Sequence, residues 1–87
     1  GERATVIGEV DAVELRTFAD GRSMVGVLIR LSQAGFVRLV WFNQPYRAQS
    51  IIRGQRLQAT GEVKSTGISY EMRHPEVIVL EADDDIV

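Results

Sequence analysis

Hydrophobic and polar residues alternate with a period of two along most of this chain, which is the pattern of half-buried β-strands. In the first segment the apolar positions fall into two sets of opposite parity, Val6, Gly8 and Val10 and then Val13 and Leu15. The phase must therefore slip once, near Asp11 and Ala12, and a β-bulge produces such a slip. We expect the bulge, or the glycine Gly8, to bend a long first strand around the corner of a small barrel.

Two more strands are predicted after short turns. Ala19-Asp20-Gly21-Arg22 contains the Asp-Gly hairpin signal and leads to a second strand, Met24 to Leu31, with Val25, Val27, Ile29 and Leu31 on one face. After Ser32-Gln33-Ala34-Gly35, a third strand runs from Phe36 to Phe42, with Val37, Leu39 and Trp41 on one face and Phe36, Arg38, Val40 and Phe42 on the other. A strand with large apolar groups on both faces is either covered twice or keeps aromatic surface available to a partner.

The alternation breaks at Asn43-Gln44-Pro45-Tyr46. Asn43 is suited to cap a short helix that runs to about Ile52, with Pro45 in its first turn and Gly54 at its end. A fourth strand, Gln55 to Lys64, follows with Leu57, Ala59, Gly61 and Val63 facing inward. A turn at Ser65-Thr66-Gly67 leads to a fifth strand, Ile68 to about Leu80. Pro75 interrupts it, and we expect the strand to kink or change partner there because proline cannot donate to a ladder.

The predicted fold is therefore all-β, with one short helix between the third and fourth of five strands. That order is the one found in the OB-fold, a five-stranded Greek-key barrel that often binds oligonucleotides or oligosaccharides. An SH3-like barrel is the nearest alternative, but it would not place its only clear helical segment midway through the chain. We predict a barrel domain over residues 1–80 and an acidic C-terminal linker or tail over residues 81–87.

Composition places the chain among small globular domains. Its 87 residues, 45% hydrophobic and 25% charged, suffice for one domain with its own core. The chain has no cysteine, and its single histidine, His74, cannot supply the three or four ligands of a zinc site, so we expect no metal. No apolar run approaches the ~20 residues of a membrane span. We expect a soluble, cytoplasmic monomer with no membrane partner.

Charge is distributed unevenly. The net charge is −2, but Glu81 and Asp83 to Asp85 supply four of the twelve acidic residues, so residues 1–80 carry ten basic against eight acidic groups. The predicted barrel is thus mildly basic. This balance is compatible with a nucleic-acid partner, and the acidic end is typical of a solvated linker.

Enzymatic motifs are absent from the sequence. It contains no phosphate loop, no dinucleotide fingerprint, no zinc-protease helix motif and no nucleophile elbow. We therefore predict no catalytic site and no cofactor in this segment. His74, which precedes Pro75, is interpreted as a structural imidazole that bonds to backbone near the strand kink.

The candidate nucleic-acid-binding residues cluster around the end of the third strand. Phe42 and Tyr46 are suited to stack on bases, and Asn43, Gln44 and Arg47 offer donors to phosphates, sugars or base edges. The alternative is that both rings plug the barrel end beneath the helix. Barrel closure could also gather scattered basic residues into a backbone-tracking groove, of which we select Arg38, Arg56 and Lys64.

Two strings in the sequence carry a family resemblance. Phe42-Asn43-Gln44-Pro45-Tyr46, followed by Gly54, Gly61 and Met72-Arg73-His74-Pro75-Glu76, resembles the wedge domain of RecG-type helicases, and the likeness covers roughly Thr5 to Val79. The resemblance implies an OB-fold inserted before two helicase motor domains of an ATP-dependent enzyme, with ATP and Mg bound by that parent chain. It further implies a role in recombination and repair, in which the domain binds stalled forks and Holliday junctions and splits their strands. Phe42 and Tyr46 would then stack on unpaired bases at the branch point.

The sequence departs from that family pattern at several positions. The turn before the third strand reads Ser32-Gln33-Ala34-Gly35 instead of an acidic turn, Glu62 follows the fourth-strand glycine where a basic residue is usual, and the loop from Arg16 to Arg22 has only two basic residues. These departures affect the expected affinity more than the fold. A protein-interaction OB-fold module and a generic single-stranded nucleic-acid binder therefore remain as alternatives.

Overall fold

Six strands and one short helix make up the computed structural model, which describes residues 2–31, 35–67 and 69–80. The elements are β1 (Glu2–Thr17), β2 (Ser23–Leu31), β3 (Phe36–Phe42), α1 (Arg47–Ser50), β4 (Arg56–Ser65), β5 (Tyr70–Arg73) and β6 (Glu76–Leu80). The prediction of an acidic tail concerns residues 81–87, which lie outside the described residues. Among the described residues, no helix is long and apolar enough to cross a membrane.

The sheet closes on itself. Its strand order is β1-β2-β3-β5-β4, with β6 beyond β4, and an additional pairing of β1 with β4 completes the ring. All of these pairs are antiparallel except β3 with β5, which is parallel. The closed Greek-key order and the helix between β3 and β4 confirm the predicted OB-fold.

The first strand pairs with two other strands because it bends. Its N-terminal half, from Glu2 to Glu9, pairs with β4, and the part from Gly8 onward pairs with β2. The register to β2 shifts between Val10 and Ala12, so the predicted bulge is confirmed. A side chain at Gly8 would place its Cβ 2.7 Å from the carbonyl oxygen of Arg30. Only glycine lets the two backbones approach this closely at the corner.

The barrel interior is filled by the alternate residues that the period of two predicts. Among the described residues, the buried hydrophobic core consists of Val10, Val25, Val27, Ile29, Val37, Leu39, Trp41, Ile51, Leu57, Ala59 and Met72. Val40, on the opposite face of β3, is also only 2% exposed. The third strand is therefore partly covered on both faces, whereas its terminal rings, Phe36 and Phe42, stay exposed.

The predicted fifth strand divides in two at Pro75. Before the break, β5 pairs with β3 and β4, and after it β6 pairs with β4 alone. His74 lies at the break with a φ of 50°, in the left-handed region. The prediction that the strand changes partner at this proline is confirmed.

The helix prediction was wrong in its extent and its caps. The helix has four residues, and Ile51 leaves it in an extended conformation because its side chain enters the core, where it is 5% exposed. Tyr46 occupies the N-cap position, and Asn43 makes no cap. Gly54 does not end the helix but lies in a later turn, with a φ of 95° and its N–H donating to the carbonyl of Val10. The fourth strand accordingly begins and ends one residue later than predicted.

Candidate nucleic-acid interface

Both candidate stacking rings are accessible. Phe42, at the end of β3, is 39% exposed, and Tyr46, just before α1, is 59% exposed. The interior beneath them is filled by Trp41, which is 1% exposed, and by Ile51. The alternative that Phe42 and Tyr46 plug the barrel end is therefore wrong.

Phe42 is held by the junction between β5 and β6. The ring of His74 lies 6.0 Å from the ring of Phe42, measured between centroids, at an interplanar angle of 41°. Its Nε2 accepts a hydrogen bond from the backbone N–H of Phe42, 3.3 Å away. The interpretation of His74 as a structural imidazole bonded to backbone is confirmed. The ring of Phe42 thus has a supporting side chain behind it and an exposed remainder.

Asn43 turns the chain away from β3. It has a φ of 59°, a left-handed conformation that asparagine tolerates better than most residues. Its backbone N–H donates to the carbonyl of Ser23 at 2.8 Å, and its side-chain Oδ1 accepts the N–H of Ser23 at 3.2 Å. The amide oxygen is therefore committed to β2, and the Nδ2 donors are what Asn43 can offer to a ligand.

Tyr46 and Arg47 are organised by a single side chain. Oε1 of Gln44 accepts the hydroxyl of Tyr46 at 3.1 Å and Nε of Arg47 at 3.0 Å. The guanidinium of Arg47 lies over the Trp41 ring and over the Tyr46 ring, 5.2 and 5.6 Å from their centroids. These contacts fix the Tyr46 ring relative to the core, and they leave Arg47 a half-buried cation beside an exposed ring.

Arg38 lies on the outer face of β3, the same face as Phe42. The Arg38 side chain runs across Gly26, and a Cβ added at Gly26 would lie 3.2 Å from Nε and Nη2 of Arg38. Nη2 of Arg38 also donates to Oε1 of Glu14 at 3.2 Å. The other oxygen of Glu14 binds Nε of Arg16 at 3.3 Å. One carboxylate therefore holds two arginines on this face.

Lys64 shares that outer face, whereas Arg56 does not lie near the rings. In the β3, β5 and β4 registers, Arg38 lies opposite Glu71, and Glu71 lies opposite Lys64. The ammonium of Lys64 is 3.9 Å from Glu62. Arg56 begins β4, pairs with Glu9 of β1, and lines a cavity together with Arg30 of β2.

The outer face of β1, β2, β3, β5 and β4 is net basic. The register places seven cations and four carboxylates there: Arg3, Arg16, Arg30, Arg38, Arg56, Lys64 and Arg73 with Glu9, Glu14, Glu62 and Glu71. We call this surface the basic face. The sequence analysis selected three of these cations, Arg38, Arg56 and Lys64. It did not select the others, because a period of two does not show which outward residues become neighbours.

A third exposed ring was missed. Phe18, at the end of the β1–β2 hairpin, is 41% exposed and lines the same cavity as Phe42. The signal in the sequence was a large apolar residue directly before an Asp-Gly turn, where exposure is expected. Among the described residues, no three acidic or histidine side chains are grouped to hold a metal ion.

The model of the RecG wedge domain family matches residues 1–86. Among solved structures, RecG bound to a three-way DNA junction is similar, with 29% identity and a TM-score of 0.77, over 95% of this chain and 12% of that chain. A mitochondrial single-stranded DNA binding protein from S. cerevisiae has the same fold, with a TM-score of 0.71 and 12% identity over 92% of this chain and 94% of that one. No curated protein matches the chain.

Proposed function

This chain belongs to the RecG wedge domain family, and on that premise we propose that it binds branched DNA and holds the strands apart at the branch point. The proposal rests on one observation above all. Phe42 and Tyr46 are both exposed, the ring of Phe42 lies 6.0 Å from that of His74, and the hydroxyl of Tyr46 bonds the side chain of Gln44. Rings that are rigid and exposed lose little conformational entropy when a base stacks on them.

Stacking energies make such rings useful at a fork. Separating a base-pair step costs about 1 to 2 kcal/mol of DNA stacking. A base stacked on an aromatic side chain recovers about 1 to 3 kcal/mol, with little dependence on sequence. Phe42 and Tyr46 would therefore offset part of the cost of keeping the first unpaired bases separate.

The basic face would hold the backbone that leads to the rings. Arg16 and Arg38 lie on the strands that approach Phe42, where Met24 is the register neighbour of both Arg16 and Phe42. Arginine on such a surface positions phosphates without reading sequence. Because Glu14 and Glu71 neutralise part of the charge, we expect a shallow salt dependence compared with that of strongly basic DNA-binding domains.

The work of strand separation belongs to the longer protein of which a wedge is a part. The chain covers only 12% of the RecG chain that it matches. We propose that ATP-dependent helicase motor domains, with ATP and Mg, move the duplex in recombination and repair, while this domain supplies the fixed obstacle.

The test is a comparison of fork binding by three forms of the chain. We expect the Phe42→Ala/Tyr46→Ala double variant to bind a labelled fork at low salt at least about tenfold more weakly than the unaltered chain, since each lost stack is worth about 1 to 3 kcal/mol. The matched control is Phe36→Ala, which removes a 44% exposed ring from the opposite end of β3. Equal affinity of the double variant and the unaltered chain would refute the stacking role.

A protein-interaction module is the second candidate, favoured by apolar side chains away from the rings. Ile7 and Ile78 are 43% and 57% exposed, and both are register neighbours of Gln58 on the outside of the barrel. Such a patch suits a neighbouring domain. If the chain ignores forks but binds RecG-type motor domains, and Ile7→Lys/Ile78→Lys abolishes that binding, the second candidate replaces the first.

A further inference from the structure

Phe18 and Phe42 line one cavity of about 310 Å³ at the rim of the barrel, together with Arg22, Ser23 and Asn43. We propose that this cavity is a slot that takes one unpaired nucleobase between the two phenyl rings while Arg22 holds the adjoining phosphate. The inference rests on the proposed function, since it names a further DNA subsite on the same surface. We call this cavity the slot.

The wall formed by Phe18 is fixed by the hairpin turn. Its backbone N–H donates to the carbonyl of Arg22 at 2.7 Å, and its own carbonyl accepts the N–H of Gly21 at 3.0 Å. Gly21 has a φ of 90°, which only glycine adopts without strain. The two hydrogen bonds of the turn therefore fix the backbone of Phe18, while its side chain lies outside the hydrophobic core.

The opposite wall is fixed to the same hairpin. Phe42 pairs with Met24 across the β2–β3 ladder, and the next residue, Asn43, bonds Ser23 through both its backbone N–H and its Oδ1. The two walls are thus attached to adjacent, hydrogen-bonded strands. A slot that exists before the ligand arrives saves the ordering entropy that a flexible pair of rings would lose.

The polar lining suits a base better than an apolar side chain. Ser23 is 7% exposed and is the buried polar residue at the slot. Asn43 retains its Nδ2 donors, because only its oxygen is used by Ser23. Every base has ring nitrogens or carbonyls that accept such donors and a flat face that stacks, so the slot takes any base.

Arg22 adds a cation whose strength is limited by its neighbour. Nε of Arg22 is 2.7 Å from Oδ2 of Asp20, and Oδ1 of Asp20 accepts the backbone N–H of Arg22 at 3.1 Å. The guanidinium has five N–H donors, and the pair with Asp20 uses one of them. The remaining N–H groups are suited to bind a phosphate. Substitution Asp20→Asn keeps the Oδ1 acceptor of the turn and removes the opposing charge.

The experiment measures fork binding with and without a base at the branch. In a set of labelled forks, an abasic site replaces one unpaired nucleotide next to the branch, at a different position in each fork. Affinity is measured by anisotropy for the 87-residue chain and its variants. The discrimination of each form is the ratio of its affinities for the intact fork and for the abasic fork. At one position we expect the abasic site to weaken binding by the unaltered chain about fivefold or more, as the loss of one stacked base predicts. Phe18→Leu should lose most of that discrimination, and Phe18→Tyr should retain it.

Controls separate this inference from the proposed function. Phe36→Leu removes an exposed ring outside the slot and should discriminate like the unaltered chain. Asp20→Asn should bind every fork more tightly without changing the discrimination. If Phe18→Leu discriminates as the unaltered chain does while Phe42→Ala/Tyr46→Ala loses affinity, the slot is wrong and the proposed function stands. If the unaltered chain binds no fork, both fail.

Discussion

His74 and Phe42 are joined by a backbone-to-imidazole hydrogen bond between residues 32 positions apart in the sequence. The same histidine donates its own backbone N–H to the carbonyl of Val40 at 2.7 Å. The junction between β5 and β6 therefore holds the end of β3, where Phe42 lies. Through these two bonds, the placement of Phe42 depends on the strand break at Pro75.

Substitutions of His74 separate its backbone role from its side-chain role. Because His74 has a φ of 50°, His74→Ala places a residue that disfavours the left-handed region there, and His74→Gly does not. We expect His74→Ala to be less stable than His74→Gly by about 1 kcal/mol. The measurement is the free energy of unfolding of both variants in urea.

The two variants should nevertheless weaken fork binding to a similar degree, since both lose the imidazole behind Phe42. Each loss should be smaller than that of Phe42→Ala, because the stacking ring itself remains. If His74→Gly and His74→Ala bind forks as tightly as the unaltered chain, Phe42 does not need the support of this side chain.

Two strand glycines should respond differently to the same added methyl group. At Gly8 the new Cβ would meet the backbone oxygen of Arg30 at 2.7 Å, whereas at Gly26 it would meet the flexible guanidinium of Arg38 at 3.2 Å. We expect Gly8→Ala to destabilise the barrel by about 1 to 3 kcal/mol, as overpacking does, and Gly26→Ala to change stability much less. Thermal unfolding of the two variants compares them, and equal losses would contradict a backbone clash as the cause.

The strands and the bulge of β1 could be predicted because the alternation of hydrophobic and polar residues, and the point where that alternation shifts by one residue, are visible within a short stretch of sequence. The slip between Val10 and Val13 was visible in the sequence, and so was the break at Pro75. The helix was not predictable in its extent, since Ile51 is drawn from it into the core by contacts that only the closed barrel makes. Asn43 was misassigned for a similar reason, because its partner, Ser23, lies on another strand.

The candidate site was predictable where it is contiguous in sequence. Phe42, Tyr46 and Arg47 lie within one short segment, so residue type and spacing were enough to select them. Phe18 reaches Phe42 only through the pairing of β2 with β3. Contacts across strands depend on register, which the sequence pattern alone did not provide.

Glu14 should restrain DNA binding, because it holds Arg16 and Arg38 at 3.3 and 3.2 Å on the basic face. Substitution Glu14→Gln removes the charge and keeps the side-chain shape. We expect tighter fork binding and a steeper dependence of affinity on salt, by about 1 to 2 in the slope of log K against log salt if both freed arginines contact phosphates. Titrations across a range of salt concentrations measure the slope.

The control for Glu14 is Glu62→Gln, which removes the carboxylate 3.9 Å from Lys64 on β4. It frees one cation at a longer distance, so its effect on the slope should be smaller. Stability should change little in either variant, because exposed ion pairs contribute about 1 kcal/mol or less. A slope that does not change in Glu14→Gln would show that Arg16 and Arg38 are not near phosphates.

Gln44 offers the sharpest distinction between positioning and direct contact. Its Oε1 binds both the hydroxyl of Tyr46 and Nε of Arg47, so a positioning role predicts that Gln44→Ala acts through those two side chains. In a double-variant cycle on fork affinity, Gln44→Ala and Tyr46→Phe should then be strongly non-additive, since Tyr46→Phe already removes the hydroxyl that Gln44 holds. Coupling of about 0.5 kcal/mol or more supports positioning. Additive losses would instead mean that Gln44 contacts DNA independently of Tyr46, because two side chains that bind separate groups do not sense each other's removal.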